Sequence, residues 1–255
     1  LAERLELFLY RKSFLITGQT QGIVKNIGDR TNLSNLHWLP NGISDDVVNL
    51  NLNKDDCRKK LNLADDSFIF SYTGVIGHAQ GLEIIIHAAE KFVSKNVTIV
   101  FCGDGPELES LKALADKSGF NHFVFTGAVD KKVALQVVAA SDAAIIPLKR
   151  LDLFKGAIPS KIFENCALGK PILLGVDGEA KELFVNQAQA GIYFEPENIN
   201  ELSTAMEKLF ENNILCTSLG QNGKQYVLSK FSRKQIAINF LNVLEQKLKD
   251  STSTQ

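Results

Sequence analysis

A repeat of short apolar runs, each followed by a turn and a stretch of helical periodicity, constrains the fold more than any other feature. The apolar runs cover residues 68–73, 97–102, 122–126, 143–147, 171–174 and 191–194. They are nearly continuous in apolar and β-favouring residues, as is typical of strands covered by helices on both faces. The pattern therefore predicts an α/β fold with a doubly wound, Rossmann-like parallel sheet, whose ligands bind beside the carboxyl ends of the strands.

The segments around this repeat define the predicted domain organisation. The repeat's helical stretches begin near Leu82, Pro106, Lys131, Ser160 and Glu179, and residues 199–211, 215–230 and 233–248 form a carboxyl-terminal helical extension. The opening residues contain a basic amphipathic stretch, a lone strand at 13–16 and a helix at 19–27. We therefore divide the chain into residues 1–45, a central sheet domain of residues 46–225, and residues 226–255, which end in a polar, disordered tail.

The net charge argues against attraction of nucleic acid, and the cysteine spacing argues against a cysteine metal site. Lys and Arg number 28 against 29 Asp and Glu, giving a net charge of -1, so no overall field attracts nucleic acid. The four cysteines lack metal-ligand spacing and are typical of reduced thiols in a cytosolic protein. Because the chain begins with Leu1 and lacks both a signal-peptide pattern and an initiator Met, we expect it to be part of a larger protein.

The first loop of the repeat, residues 73–82, contains three glycines directly before a helix. Glycine allows a backbone to approach a ligand closely, and the start of a helix offers free N–H groups to a phosphate. Gly74, Gly77 and His78 are therefore candidate nucleotide-binding residues. The alternative is a plain tight turn, because the loop has neither the P-loop nor the dinucleotide-binding spacing.

The next two loops also contain glycines at strand ends. Gly103 and Gly105 precede a proline typical of a helix start, and a purely structural turn explains them equally well. The third loop contains Gly127 and Val129, followed by Asp130 as an expected helix cap. Backbone groups of this loop are candidates for contact with the edge of a nucleotide base.

The most informative segment contains Pro159, Ser160, Lys161 and Glu164. Proline and serine suit the first turn of a helix, so free N–H groups, a hydroxyl and an ammonium group meet at one anion-sized position. Glu164 lies about one turn later on the same face, where a carboxylate could accept hydrogen bonds from ribose hydroxyls. The alternative for both charged residues is a solvated helix face.

Taken together, these motifs resemble the carboxyl-terminal half of retaining glycosyltransferases of GT-B architecture, in the family 4-like group. The match runs from about residue 10 to about residue 245. Within the family, the chain is most similar to transferases of aminodeoxy sugars such as N-acetylfucosamine in O-antigen and capsule assembly, which also have a Pro-Ser-Lys helix start. The landmarks are residues 39–43, 73–74, 81–82, 103–108, 125–127, 141–142, 159–164 and 169–171.

The resemblance implies an enzyme that binds a nucleotide-diphosphate sugar, with uridine as the suggested base. It implies sugar transfer with retention to a glycan or lipid-linked acceptor in surface polysaccharide synthesis. It further implies that Gly74 and its loop approach the diphosphate, that residues 127–129 hold the base and that Glu164 binds ribose. Lys161 and helix dipoles would stabilise the departing diphosphate, so Lys161 and Glu164 are the expected catalytic residues, with no cofactor or metal.

The same resemblance assigns roles to the three segments. Residues 1–45 correspond to a remnant of an acceptor-binding amino-terminal domain and its linker, residues 46–225 to the nucleotide-sugar-binding domain, and residues 226–255 to a crossover helix and tail. The chain is expected to be inactive without its amino-terminal domain. The intact enzyme is expected in the cytoplasm, and peripheral association with the inner face of the plasma membrane is compatible with a lipid-linked acceptor.

Two departures from the family pattern affect the expected site. Family members often place Arg and Lys in the first glycine loop, where this chain has Val75 and Gln80. Neutralisation of the diphosphate would then fall to Lys161, with Lys155 as a second candidate. Many members also have a glutamate eight positions before the second one, and that position is Gly156 here. Recognition of the donor sugar is therefore not carried over.

Two other functions compete with glycosyl transfer. A nucleotide-sugar 2-epimerase shares the GT-B fold and a similar diphosphate site, but it needs acid and base residues in the cleft. A non-catalytic α/β nucleotide-binding domain would use the glycines only as turns. A rise in melting temperature on addition of UDP would favour a nucleotide site, because a ligand that binds only the folded state stabilises it.

Overall fold

A computed structural model describes residues 2–252, and parallel strands form its centre. The strands are β1 (Ile16–Gly18), β2 (Leu36–Trp38), β3 (Phe68–Thr73), β4 (Val97–Cys102), β5 (Phe123–Phe125), β6 (Ala143–Pro147), β7 (Ile172–Gly175) and β8 (Gly191–Tyr193). Six of them form one parallel sheet in the order β5-β4-β3-β6-β7-β8. Because the chain moves one way from β3 to β5 and the other way from β6 to β8, the sheet is doubly wound, as predicted.

Helices connect and cover the strands. They are α1 (Ala2–Lys12), α2 (Gln21–Thr31), α3 (Asp45–Val48), α4 (Lys54–Lys60), α5 (Glu83–Ala89), α6 (Leu108–Ala115), α7 (Lys131–Ala140), α8 (Lys161–Ala167), α9 (Glu179–Lys181), α10 (Ile199–Phe210), α11 (Asn213–Lys230) and α12 (Arg233–Thr252). Short 3-10 segments cover His78–Gln80, Glu90–Phe92 and Asp152–Gly156, and a π-helix covers Glu182–Gln187. The helical extension predicted after residue 198 is confirmed.

Continuous apolar sequence places β3 and β4 at the centre of the core. Every residue of both strands is buried. Phe70 and Tyr72 lie in the cluster that includes α5, α6 and α10 residues, whereas Ile69 and Val100 lie in the cluster that includes α4 and α7 residues. Helices therefore cover both faces, which is why these strands lack the polar alternation of a one-sided sheet.

The opening segment differs from the sequence prediction. The lone strand predicted at residues 13–16 is wrong, because β1 begins at Ile16 and pairs in parallel with β2. The sequence gives little signal for β2, since it is three half-buried residues with His37 at its centre. The helix predicted at residues 19–27 is α2, whose start is capped by Thr20 Oγ1 accepting from Ile23 N at 3.1 Å.

Specific contacts join the opening segment to the large sheet domain. Glu179, at the start of α9, accepts hydrogen bonds from the backbone N–H groups of Gln21 and Gly22, each at 2.8 Å. These N–H groups belong to the first turn of α2, where a carboxylate is favoured by the helix dipole. At the other end of the chain, Phe240 of α12 stacks on His37 of β2, with ring centroids 5.7 Å apart.

The carboxyl-terminal boundary falls within regular structure. The predicted domain limits at residues 45 and 225 stay predictions, and the second lies inside the continuous helix α11. Helix α12 extends through Thr252, and the rest of the predicted disordered tail lies outside the described residues. In the described part of the chain, no helix combines the length and apolar character needed to cross a membrane.

Candidate functional site

The loops after β3, β4 and β5 leave the same edge of the sheet and contact one another. Gly74 N donates to Cys102 O at 2.8 Å, and Ile76 N donates to Asp104 O at 2.9 Å. Gly103 forms an isolated backbone bridge with Gly127. We call the predicted residues on these loops and on the start of α8 the carboxyl-edge site; they are Gly74, Gly77, His78, Gly103, Gly105, Gly127, Val129, Pro159, Ser160, Lys161 and Glu164.

The glycines of the second loop pack on the first loop. Gly103 has a φ of +143°, and a Cβ atom there would lie 1.9 Å from the carbonyl oxygen of Gly74. A Cβ atom on Gly105 would lie 2.3 Å from the carbonyl oxygen of Ile76. Contacts inside the protein thus explain why both positions are glycine, and their role in nucleotide binding stays a prediction.

Lys161 brings an ammonium group from α8 to the first glycine loop. Its Nζ atom lies 3.0 Å from the position that a Cβ atom on Gly74 would occupy, and 3.8 Å from the centre of the Tyr72 ring. Burial lowers the pKa of Lys161 from its ordinary 10.5 to about 7, and the nearby Glu164 carboxylate partly opposes this shift. Among residues 2–252, Lys161 has no ion-pair partner within 4 Å. An anion bound beside Gly74 would stabilise its charged form.

Tyr72 holds both this ammonium group and the glycine loop. Its ring is buried at the end of β3, and its hydroxyl donates to the carbonyl oxygen of Val75 at 2.5 Å. Burial raises the pKa of the Tyr72 hydroxyl, so it remains a neutral donor at physiological pH. Tyr72 therefore holds the first turn of the loop through its hydroxyl and contacts the Lys161 ammonium through its ring.

Helix α8 starts one residue later than predicted, at Lys161 rather than at Ser160. Pro159 and Ser160 form the preceding turn, in which their carbonyl oxygens accept from Ile162 N and Phe163 N at 3.0 and 3.1 Å. Ser160 occupies the cap position with helical φ and ψ angles, and its side chain makes no capping hydrogen bond. The exposed Ser160 hydroxyl is therefore not used in the cap.

Glu164 faces the third loop from the first turn of α8. Its Oε1 atom lies 3.5 Å from Nζ of Lys131, the first residue of α7. Asp130 caps this helix by accepting from Val133 N at 2.8 Å, as the sequence predicts. The carboxylate of Glu164 remains about one-third exposed, with 34% of its side-chain surface accessible. It is therefore available to a ligand that lies between α8 and the third loop.

The third loop has an open backbone position at Gly127. Its φ is +67°, and a Cβ atom there would meet nothing within 4 Å. The side chain of Val129 is half-buried and packs against the cluster that includes Cys57 and Leu63. The role of Val129 in holding the base stays a prediction.

His78 lies on the 3-10 turn of the first loop and faces Lys149, which is not among the residues predicted from the sequence. Lys149 Nζ lies 3.4 Å from His78 Nε2 and 3.5 Å from His78 Nδ1. The backbone N–H of Lys149 also donates to Ala79 O at 2.9 Å. Its position two residues after β6, at the edge where ligands of such sheets bind, was an available signal.

Asp142 and Lys170 are charged residues from two of the family landmarks, and both have hydrogen-bond partners inside the protein. Asp142 Oδ2 accepts from the buried guanidinium of Arg58 and from Ile69 N, each at 2.7 Å. Lys170 Nζ donates to the carbonyl oxygens of Ala139 and Ser141 at 2.8 and 2.7 Å. Both contacts fix the connection from α7 to β6, so these residues support the sheet.

A cavity of about 940 Å³ opens beside the carboxyl-edge site, between the opening segment and the loop that follows β6. Pro159 and Gly156 line it from that loop, Gln80 lines it from the first glycine loop, and Ile23 and Ile27 line it from α2. Pockets of this size are typical of small-molecule sites. The turn at Pro159 therefore borders a concave space.

Comparisons with known proteins identify the family. The sequence model described as "Glycosyl transferases group 1" matches residues 53–226. An uncharacterized glycosyltransferase of Methanocaldococcus jannaschii is 28% identical over 178 residues, covering 69% of this chain and 44% of the relative. The 2-deoxystreptamine N-acetyl-D-glucosaminyltransferase of Niallia circulans is 22% identical over 179 residues, with coverage of 69% and 44%. The chain thus spans about half the length of the curated relatives it matches.

A solved structure supports the same fold. The HepE protein of Anabaena, crystallised with UDP and glucose, superposes with a TM-score of 0.81 at 20% identity. The superposition covers 95% of this chain and 66% of HepE. Since the family sequence model covers more than half of its residues, the chain belongs to the glycosyl transferases group 1 family.

Proposed function

We propose that this chain binds the nucleotide-diphosphate sugar of a glycosyltransferase at the carboxyl-edge site, with uridine as the base. One observation carries the proposal: the partly buried Lys161 ammonium lies against Gly74 and the Tyr72 ring, with no carboxylate within 4 Å of it among residues 2–252. A buried cation without an anionic partner is costly, and a bound diphosphate would supply that partner. HepE, crystallised with UDP and glucose, supports the choice of uridine.

The proposed residues bind three different parts of the donor. Lys161 and the backbone at Gly74 meet the diphosphate, residues 127–129 meet the base, and Glu164 accepts from ribose hydroxyls. During transfer, the bond between the anomeric carbon and the phosphate oxygen breaks, and both electrons leave with the diphosphate. The acceptor hydroxyl oxygen forms the new bond to the anomeric carbon, and its proton passes to the departing diphosphate oxygen. Lys161 stabilises the leaving charge, and the proposal includes neither a metal nor a cofactor.

The sugar, the stereochemistry of transfer and the acceptor are proposed for the whole enzyme. We propose transfer of an aminodeoxy sugar, with retention, to a glycan or lipid-linked acceptor in surface polysaccharide synthesis. The Pro-Ser-Lys start of α8 supports the choice of sugar, and one relative is named for transfer of N-acetyl-D-glucosamine. A second, acceptor-binding domain would face the 940 Å³ cavity, and peripheral membrane contact would bring it to a lipid-linked acceptor.

The direct test is calorimetric titration of the chain with UDP, GDP, ADP and uridine. We expect UDP to bind and uridine to bind more weakly, because uridine lacks the diphosphate that Lys161 meets. Absence of binding by all three nucleoside diphosphates would remove the proposed function. Conversion of UDP-N-acetylglucosamine without an acceptor, in the enzyme carrying its acceptor domain, would instead favour the 2-epimerase.

Replacement of Glu164 tests its proposed contact with ribose. Glu164→Ala is expected to weaken UDP binding about tenfold, as befits loss of hydrogen bonds to a charged acceptor. Wild type should prefer UDP over 2′-deoxy-UDP, and Glu164→Ala should bind both equally. Lys131, left without its partner, is 61% exposed, so loss of the pair costs little stability.

A matched control is Glu109→Ala, which removes an exposed glutamate paired with Lys112 on α6. This variant should bind both nucleotides as wild type does. If Glu164→Ala kept the wild-type affinity and the wild-type preference for the 2′-hydroxyl, the ribose role would be wrong.

A further inference from the structure

The first glycine loop carries no cation of its own. Residues 74–81 contain neither Lys nor Arg. A diphosphate bound there needs positive charge from other parts of the chain. The structure brings lysines to this loop from two other elements.

The two lysines contact opposite ends of the loop. Lys161 reaches the Gly74 end from α8. Lys149 reaches the Gly81 end from the residues after β6, where its Cγ and Cε atoms lie 3.1 and 3.6 Å from the position of a Cβ on Gly81. Its ammonium lies 3.4 Å from His78 Nε2. The loop therefore lies between the ammonium groups of Lys149 and Lys161, both of which are distant from the loop in sequence.

Several contacts fix Lys149 in this position. Its N–H donates to Ala79 O at 2.9 Å, and the preceding Leu148 N donates to Gly175 O at 3.0 Å. Gly81 has a φ of +57°, and the absence of a side chain there leaves room for the lysine stem. The ammonium group lies 3.8 Å from Glu83, beyond hydrogen-bond distance, and 23% of the lysine side chain is exposed. The Lys149 ammonium group can thus bind another anionic group.

We propose that Lys149 is a second donor-binding cation, which contacts the diphosphate of the nucleotide sugar from the Gly81 end of the loop. The inference rests on the proposed function and adds a residue to it. Lys155, the other candidate near the site, is paired with Asp152 at 2.8 Å. Lys149 therefore takes the place of the cation that the loop itself lacks.

The test replaces Lys149 by Met, which keeps the packed stem and removes the charge. In calorimetric titrations, Lys149→Met should weaken UDP binding about tenfold, the usual scale for one charge-assisted hydrogen bond, and leave uridine binding unchanged. Lys149→Arg should restore most of the UDP affinity. Lys112→Met, on the last turn of α6, is the matched control and should bind UDP as wild type does.

The possible outcomes separate the two proposals. If wild type binds no nucleoside diphosphate, the proposed function fails and the inference fails with it. If wild type and Lys149→Met bind UDP equally, only the inference is overturned. Equal weakening of UDP and uridine would also overturn it, because Lys149 would then act by holding the loop rather than by contacting phosphate.

Discussion

Replacement of Lys161 by Met is expected to weaken UDP binding at least about 100-fold, because a charged group would be lost from the centre of the proposed diphosphate site. Methionine can keep the contact with the Tyr72 ring while removing the ammonium group. The measurement is calorimetric titration with UDP at pH 6.5, and Lys112→Met again serves as the control. Unchanged affinity would show that Lys161 does not meet the ligand.

The lowered pKa of Lys161 adds a second readout. Its folded-state pKa of about 7 lies below the ordinary value of 10.5, so the unfolded chain binds more protons between these two pH values. The charged, partly buried lysine thus destabilises the free protein fully below pH 7, and this cost disappears as pH rises toward 10.5. Free Lys161→Met should melt above wild type at pH 6.5, and the difference should shrink by pH 9.

Binding should also take up protons. A diphosphate favours the charged form of Lys161, so its pKa should rise on UDP binding and wild type should take up a proton near pH 8. Titrations in buffers with different ionisation enthalpies measure this uptake. A wild type that binds UDP without proton uptake, or a Met variant that melts below wild type at pH 6.5, would contradict the assignment.

Replacement of Gly103 by Ala is the second large expected effect. Alanine at this position would have a strained φ of +143°, and its Cβ atom would collide with the Gly74 carbonyl oxygen. Adding the typical costs of strain and overpacking gives a loss of about 4 kcal/mol in unfolding free energy. In a chain of this size, that corresponds to a melting temperature roughly 10 °C lower. UDP affinity should fall too, since the collision displaces Gly74.

Gly119→Ala is the matched control for this change. Gly119 has a φ of +74°, yet a Cβ atom there would meet nothing within 4 Å. Only backbone strain remains, which costs about 1–2 kcal/mol. This variant should bind UDP as wild type does. Equal melting temperatures for the two variants would show that the loops tolerate the collision by moving apart.

Much of the fold could be predicted because the central strands are buried on both faces. The bounds of β3, β4 and β6 match the predicted runs, whereas the runs predicted for β5 and β7 differ by one residue at both ends and the run predicted for β8 differs by one residue at its end. Outside this sheet the signal is weaker. The pairing of β1 with β2 was missed because both are only three residues long and none of β2 is fully buried.

The candidate site could be predicted only as a set of loops. The positions of Gly74, Lys161 and Glu164 follow from strand-to-helix order, and the structure places them at one edge of the sheet. Their environments depend on long-range contacts, such as the Tyr72 ring under Lys161. Lys149 was missed for the same reason: its contact with His78 spans 71 residues of sequence.

The central claim is that a nucleoside diphosphate binds between Gly74, Lys161 and Glu164. A crystal structure of the chain soaked with UDP tests it most directly. We predict a phosphate within hydrogen-bond distance of Lys161 Nζ and the ribose hydroxyls against the Glu164 carboxylate. UDP bound elsewhere in the crystal, with this edge of the sheet empty, would contradict the account.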